Sequence, residues 1–205
     1  MKFSEYVLGV KAGESVLIEH TSLSAYPVLF YLIGRAYGWE RLILVDVIDS
    51  SLPILRWARH AGVELPSGLV RIKAGGTSEW GRVILELDPH RDPGIFLTKF
   101  ESFVKNYYEE HSREEMVTVI MNSERLVQIQ NNRRGFILTL TNFATSFIGN
   151  PRRRSFHFVN VDLADGRYVA LLEEAFTRVI RIDDRTPKVL KSPNSGEEGK
   201  ELKLK

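Results

Sequence analysis

Cysteine is absent from the 205 residues. That excludes disulfides, thiolate nucleophiles and cysteine-based metal sites together. Glutamine occurs only at Gln128 and Gln130. So few thermolabile side chains, beside 26% charged residues, fit a thermophile. No apolar run reaches the roughly 18 residues that a membrane-spanning helix needs. No apolar signal region follows Met1-Lys2-Phe3-Ser4-Glu5, so a cytoplasmic protein without membrane contact is expected. A general excess of positive charge is missing too. The net charge is +2, and the stretch from Asp184 to Lys205 accounts for it, with six Lys/Arg against four Asp/Glu. The remainder is close to neutral, so only a local patch could meet nucleic acid.

What is present is an alternation of short apolar runs with longer amphipathic ones. Val16–Ile18, Leu42–Ile48, Val70–Lys73, Val83–Leu87, Met116–Met121, Phe156–Val161 and Val179–Ile182 read as strands. From Tyr26, with Pro27 suited to a first helical turn, a helix apolar nearly all round runs to a stop at Gly38. Phe96, Phe100, Phe103 and Tyr107 share one helix face, as do Phe136, Leu140, Phe143 and Phe147 ahead of Gly149-Asn150-Pro151. Such alternation predicts an α/β domain over residues 1–183: a mainly parallel sheet with helices on both faces. Residues 184–205 are polar and rich in Pro, Ser and Gly, a composition expected to leave a disordered tail.

The segment between the first strand and its helix has the layout of a phosphate-binding loop, G-x-x-x-x-G-K-[ST]. Here the eight positions read His20, Thr21, Ser22, Leu23, Ser24, Ala25, Tyr26 and Pro27. Such a loop works because glycines let backbone N–H groups close on phosphate, a lysine neutralises charge and a hydroxyl holds Mg²⁺. His20 and Ala25 replace the glycines, uncharged Tyr26 replaces the lysine, and Pro27 has no hydroxyl and no N–H. The spacing survives and the chemistry does not.

In element order, residues 5–183 resemble the RecA/KaiC-like branch of P-loop ATPases. Gly9-Val10-Lys11-Ala12-Gly13 is similar to that branch's glycine lead-in, and Val16-Leu17-Ile18 to its first strand. Leu44–Asp49 resembles its second strand, with Asp49 nearest the place of a catalytic glutamate. Val117–Ser123 resembles the Walker B strand, with Asn122 where that family has aspartate. The whole chain also resembles a small family of uncharacterised Thermococcus–Pyrococcus archaeal proteins. The resemblance implies a RecA/KaiC-like fold. The substitutions imply a non-hydrolysing binding or assembly module, a homo-oligomer that needs no cofactor.

Other residues carry alternatives. Asp46 and Asp49 could form an acidic site at the sheet edge, as in a metal-dependent nuclease. Asp49 reads in preference as a helix cap, supported by Ser50 and Ser51, whereas a mid-strand Asp46 requires a partner. Asp88, His90 and Asp92 alternate like ligands, but Arg91 and two prolines favour a solvated loop. No metal set is expected, and His60, His111 and His157 read as structural. Arg133, Arg134, Arg152, Arg153 and Arg154 flank one helix and are expected to converge on an anion, a protein partner or single-stranded nucleic acid. A nucleotide sensor without hydrolysis remains a further reading.

Overall fold

The computed structural model describes residues 1–111 and 115–204. Eight strands form one sheet: β1 (Ser15–His20), β2 (Leu42–Val47), β3 (Val70–Ala74), β4 (Arg82–Leu87), β5 (Met116–Met121), β6 (Arg153–Asn160), β7 (Arg178–Ile182) and β8 (Lys188–Lys191). Their spatial order is β4-β3-β2-β5-β6-β1-β7-β8, and every pair is parallel except β7 with β8. The seven predicted strands are all present in this sheet.

Side-chain alternation along the strands divides the core in two. Val16 and Ile18 point to one face, where α1 (Phe3–Leu8), α2 (Tyr26–Tyr37) and α3 (Leu52–Ala61) bring Phe3, Leu29, Phe30, Ile33 and Ile54. Leu17, Val45 and Val159 point to the other. There α4 (Pro93–Glu110), α5 (Glu124–Ile129), α6 (Arg134–Thr145) and α7 (Gly166–Ala175) bring Phe96, Phe100, Leu126, Phe136, Leu140 and Leu172. The chain moves outward from β1 to β2 and β3, then reverses through β5, β6 and β7. Right-handed crossovers in opposite directions place their helices on opposite faces, which is why both sides are covered.

The structure corrects the expectation of a disordered tail from residue 184. β8 pairs antiparallel with β7, matching Val189 to Ile180, and Lys203 bridges to Lys2 beside α1. Val189 and Leu202 are fully buried in the core that contains Phe3. Arg178 pins the segment: it is buried and contacts Glu14 at 2.9 Å and Glu197 at 2.8 Å. Lys191 Nζ donates to the carbonyls of Glu173 and Glu174, both at 2.8 Å, at the carboxyl end of α7. Composition averages over the stretch, whereas two apolar residues and one ion-pair network suffice to dock it. Lys205, the last residue of the expected tail, lies outside the described residues.

Truncation after Asp184 is therefore expected to destabilise the protein. Burying Val189 and Leu202 contributes about 1.5–3 kcal/mol each. At roughly 2–4 °C per kcal/mol for a chain of this size, the melting temperature should fall by on the order of 10 °C. A calorimetric scan that shows no change would mean that the segment contributes nothing to folding.

Candidate functional site at the carboxyl edge of the sheet

In open parallel sheets, ligands bind at the carboxyl ends of strands where the strand order reverses. The loop after β1 lies at such an edge, and its own chain fills it. Thr21 N donates to Ile182 O at 3.3 Å, Ser24 N to Thr21 O at 3.3 Å and Ala25 N to Asp184 O at 2.6 Å. Ser22 N donates to Asp162 Oδ2 at 2.7 Å, and this bond holds the Asp162 carboxyl below its usual range. A carboxylate of the protein thus occupies an anion's place in the loop. Pro27 enters the first turn of α2 without an N–H, and Ala25 at the helix start offers no capping side chain. Leu23, at the tip, is 93% exposed.

His20 ends β1 fully buried, with Tyr26 stacked on it at a centroid distance of 4.0 Å. Burial lowers the imidazole pKa and keeps the ring neutral. Nδ1 lies 3.0 Å from Thr21 O, which can only accept, so Nδ1 carries the proton. Nε2 is then an acceptor; the Asn122 amide atom 3.0 Å from it is assigned as Oδ1, and with this tautomer the amide is turned over so that its NH₂ group donates to Nε2. Asn122 itself adopts a left-handed φ of 54°. An aspartate in its place would set an acceptor against an acceptor.

The same edge buries an acid that the sequence analysis did not single out. Glu124 is fully buried, and neither carboxylate oxygen has a hydrogen-bond partner. Desolvation pushes its pKa up to about 8, although the backbone N–H groups of Glu124 and Asn160, close by but outside hydrogen-bond geometry, and the Arg125 charge oppose this. Tyr26 is pushed up to about 12 by burial, and Tyr168, hydrogen-bonded to Ser123 at 2.8 Å, is also raised by burial. Glu124 opens a six-residue helix too short to show a period, so no sequence pattern marked it.

Asp46 and Asp49 do not form a joint site. Asp46 is buried and accepts from Ser51 N at 3.0 Å, Ser50 Oγ at 3.1 Å and Ser51 Oγ, with Arg71 at 3.9 Å. The partner that its position demanded is therefore present. Asp49 is not the expected cap of α3. Its carboxylate turns to the β3–β4 loop and accepts from Thr77 N at 2.6 Å, Ser78 N at 3.2 Å and Ser78 Oγ. Burial opposes its ionisation, but these bonds outweigh it and hold the pKa low. The clamp sustains left-handed φ values of 49° at Ile48 and 53° at Asp49, a strain of about 1–3 kcal/mol at such positions. It also requires Gly76, where a Cβ would lie 2.4 Å from the Asp49 carboxyl. In the neighbouring loop, Asp88 accepts from His90 N, and Asp92 caps α4 through Gly94 N and Ile95 N.

The five arginines do not converge. Arg133 and Arg134 begin α6 at the carboxyl edge, and Arg152–Arg154 lie at the opposite edge where β6 starts. A 12-residue helix separates them by about 18 Å. Helix ends are adjacent in sequence to both groups, but the helix runs the depth of the sheet between them. Arg154 pairs with Glu115 at 2.6 Å, while Arg153 is buried. Among the described residues no group of three or more His, Asp or Glu could hold a metal ion. No helix among them is long and apolar enough to cross a membrane.

The buried titratable groups set a pH dependence. Glu124, and Glu19 buried beside Glu173, ordinarily titrate at 4.5 and are raised to about 8. The folded state keeps protons there that the unfolded state releases. Their stabilisation is complete below 4.5 and is lost as pH rises through 8. His20 is lowered, and His157 is lowered to about 3 by burial and then by Arg153. Their contribution is present above the ordinary 6.5 and is lost on acidification. The melting temperature should therefore peak between roughly pH 5 and 6.5 and fall toward 8. Glu124→Gln should remove about 1.4 kcal/mol per pH unit of that alkaline loss. Parallel melting curves for the two proteins across pH 6–8 would contradict the assignment.

No curated protein matches the chain. A solved structure, from a structural study of a Pyrococcus horikoshii OT3 protein, is similar in fold, with a TM-score of 0.80 and 21% sequence identity. The match covers 100% of this chain and 98% of that one. A family model described as "Pyrococcus protein of unknown function, DUF257" matches residues 5–203. With nearly its whole length matched, β8 and the docked segment beyond it included, the chain belongs to this family.

Proposed function

We propose that the protein is a binding or assembly module on a RecA/KaiC-like frame, whose former phosphate loop is now a structural joint without hydrolytic activity. The observation that carries this reading is the commitment of the loop's donors to the chain's own acceptors. Ser22 N is bound to the Asp162 carboxylate, and Thr21, Ser24 and Ala25 donate to backbone carbonyls. A triphosphate would have to displace these bonds, meet Asp162 as a like charge and open the His20–Tyr26 stack. Nothing at Tyr26, Pro27 or Asn122 would supply the cation or the metal-side anion in return.

The same edge favours a protein contact. Leu23 and Leu163 are exposed on neighbouring loops that the Ser22–Asp162 bond ties together. Exposed aliphatic residues beside a rigid polar joint suit a second copy of the chain. A metal-dependent enzyme at Asp46 and Asp49 is disfavoured because protein donors already engage both carboxylates. Nucleic acid held by all five arginines together is disfavoured by their separation.

Mg-ATP and Mg-ADP should leave the melting temperature unchanged within about 1 °C, since a ligand stabilises only the state it binds. Phosphate release should stay at the buffer rate. Release that disappears on changing residues 20–27 would refute the proposal. Leu23→Asp should lower the solution mass measured by light scattering while leaving the melting temperature almost intact. A wild-type chain that is monomeric at all concentrations would remove the assembly half of the reading.

A further inference from the structure

The amino-terminal edge of the sheet contains an arginine with no counter-charge among the described residues. Arg153, the first residue of β6, is only 6% exposed. Its backbone is fixed from both sides: Gly13 N donates to Arg153 O at 2.7 Å, and Arg153 N donates to Asn150 O at 3.1 Å. The guanidinium lies between two aromatic rings, 3.8 Å from the centroid of Tyr108 and 4.0 Å from that of Phe147. Its Nε has no hydrogen-bond partner. Among the described residues the other two deeply buried arginines also have one unpartnered nitrogen each, but they reach carboxylates: Arg71 with Asp46, and Arg178 with Glu14 and Glu197. Arg153 has no carboxylate within ion-pair distance among the described residues, while its neighbour Arg154 takes Glu115.

A guanidinium does not deprotonate in proteins, so burial cannot be relieved by losing the charge. Desolvation lowers its pKa, opposed in part by the charge and hydrogen-bond interaction with the Tyr108 side chain. The two ring contacts offset part of that cost. They also cover both faces of the guanidinium plane, leaving approach only along its edges. An in-plane fork of N–H donors matches the paired oxygens of a carboxylate or phosphate.

The side chain forms part of the wall of a groove of about 670 Å³ between α4, the end of α6 and the start of β6. That volume suits a metabolite-sized molecule. Phe147 and Pro151 give the groove an apolar wall, and Lys105 and Arg152 add positive charge. Glu101 and Glu109 also line it, so it is no general cationic patch, and the buried Arg153 is its distinguishing feature. The edge lies the length of β6 away from the His20 loop, about 26 Å for eight residues. The two sites are therefore independent.

We propose that Arg153 anchors a binding site for the oxyanion group, carboxylate or phosphate, of a metabolite-sized ligand lying in this groove. Inorganic phosphate and acetate are the probes, each titrated against chloride at constant ionic strength. One of the two oxyanions should raise the melting temperature saturably and shift the Arg153 Nε–H resonance in ¹⁵N spectra, and chloride should do neither. The oxyanion that responds identifies the ligand group. Arg153→Lys keeps the charge but loses the planar fork, and should weaken binding about tenfold. Arg153→Met should abolish the response, and a folded variant that still responds would overturn the proposal. Should neither variant fold, the wild-type titration decides: equal responses to chloride and both oxyanions, or no saturable shift at Nε–H, would overturn it.

Discussion

The hydrogen bond between His20 Nε2 and the Asn122 side chain, 3.0 Å long and buried, joins two strands that never touch. His20 ends β1 and Asn122 follows β5, with β6 between them. The carboxyl edge of a parallel sheet is normally a crevice, because the strands end there and their connections leave on opposite faces. Here the bond spans the crevice, and Tyr26 stacks on the imidazole from the first turn of α2. A neutral ring is a condition of the arrangement, and burial supplies it. The β1–α2 loop then settles on Asp162, Ile182 and Asp184 instead of wrapping around a ligand.

Elsewhere the buried polar groups are mostly resolved by local networks. Asp46 is met by Ser50, Ser51 and Arg71; Arg71 in turn reaches the Ser78 and Trp80 carbonyls, while Trp80 Nε1 donates to Ser51 Oγ at 3.1 Å. Asp49 closes the same region by clamping Thr77 and Ser78. This cluster explains a carboxylate in mid-strand without any metal ligand set. Arg178 does the same for the last segment, drawing Glu14 and Glu197 to one buried position.

Arg153, Glu19 and Glu124 are buried ionisable groups with unpartnered atoms; Arg71 Nε and Arg178 Nη2 are unpartnered as well, but those two arginines also reach carboxylates. The two acids can relieve burial by keeping their protons, and the raised pKa values show that direction. Arg153 has no such route, because a guanidinium does not deprotonate in proteins. The chemistry of the molecule is thus distributed unevenly between the two sheet edges. One edge has been closed by its own side chains, and the other holds a preorganised cation.

Strands buried on both faces leave dense apolar runs, so seven of the strands and the longer helices α2, α4 and α6 were legible in the sequence. The absence of the phosphate-loop glycines and lysine between His20 and Pro27 was legible too, because it is a matter of residue type alone. Short elements were not: α1, α5 and β8 span six, six and four residues, too few for a period to rise above composition. The fate of individual polar side chains was also out of reach. Nothing local distinguishes Arg153 from Arg152 and Arg154, and adjacent sequence positions on either side of α6 end at opposite edges of the sheet. The sequence by itself determined the α/β class and the residue types between His20 and Pro27, which lack the glycines and lysine of a phosphate loop, because periodicity and side-chain chemistry are local properties. Only the tertiary structure decided what fills that loop, what docks the final segment and which deeply buried arginine has no carboxylate within ion-pair distance among the described residues, because each depends on partners brought together from distant parts of the chain.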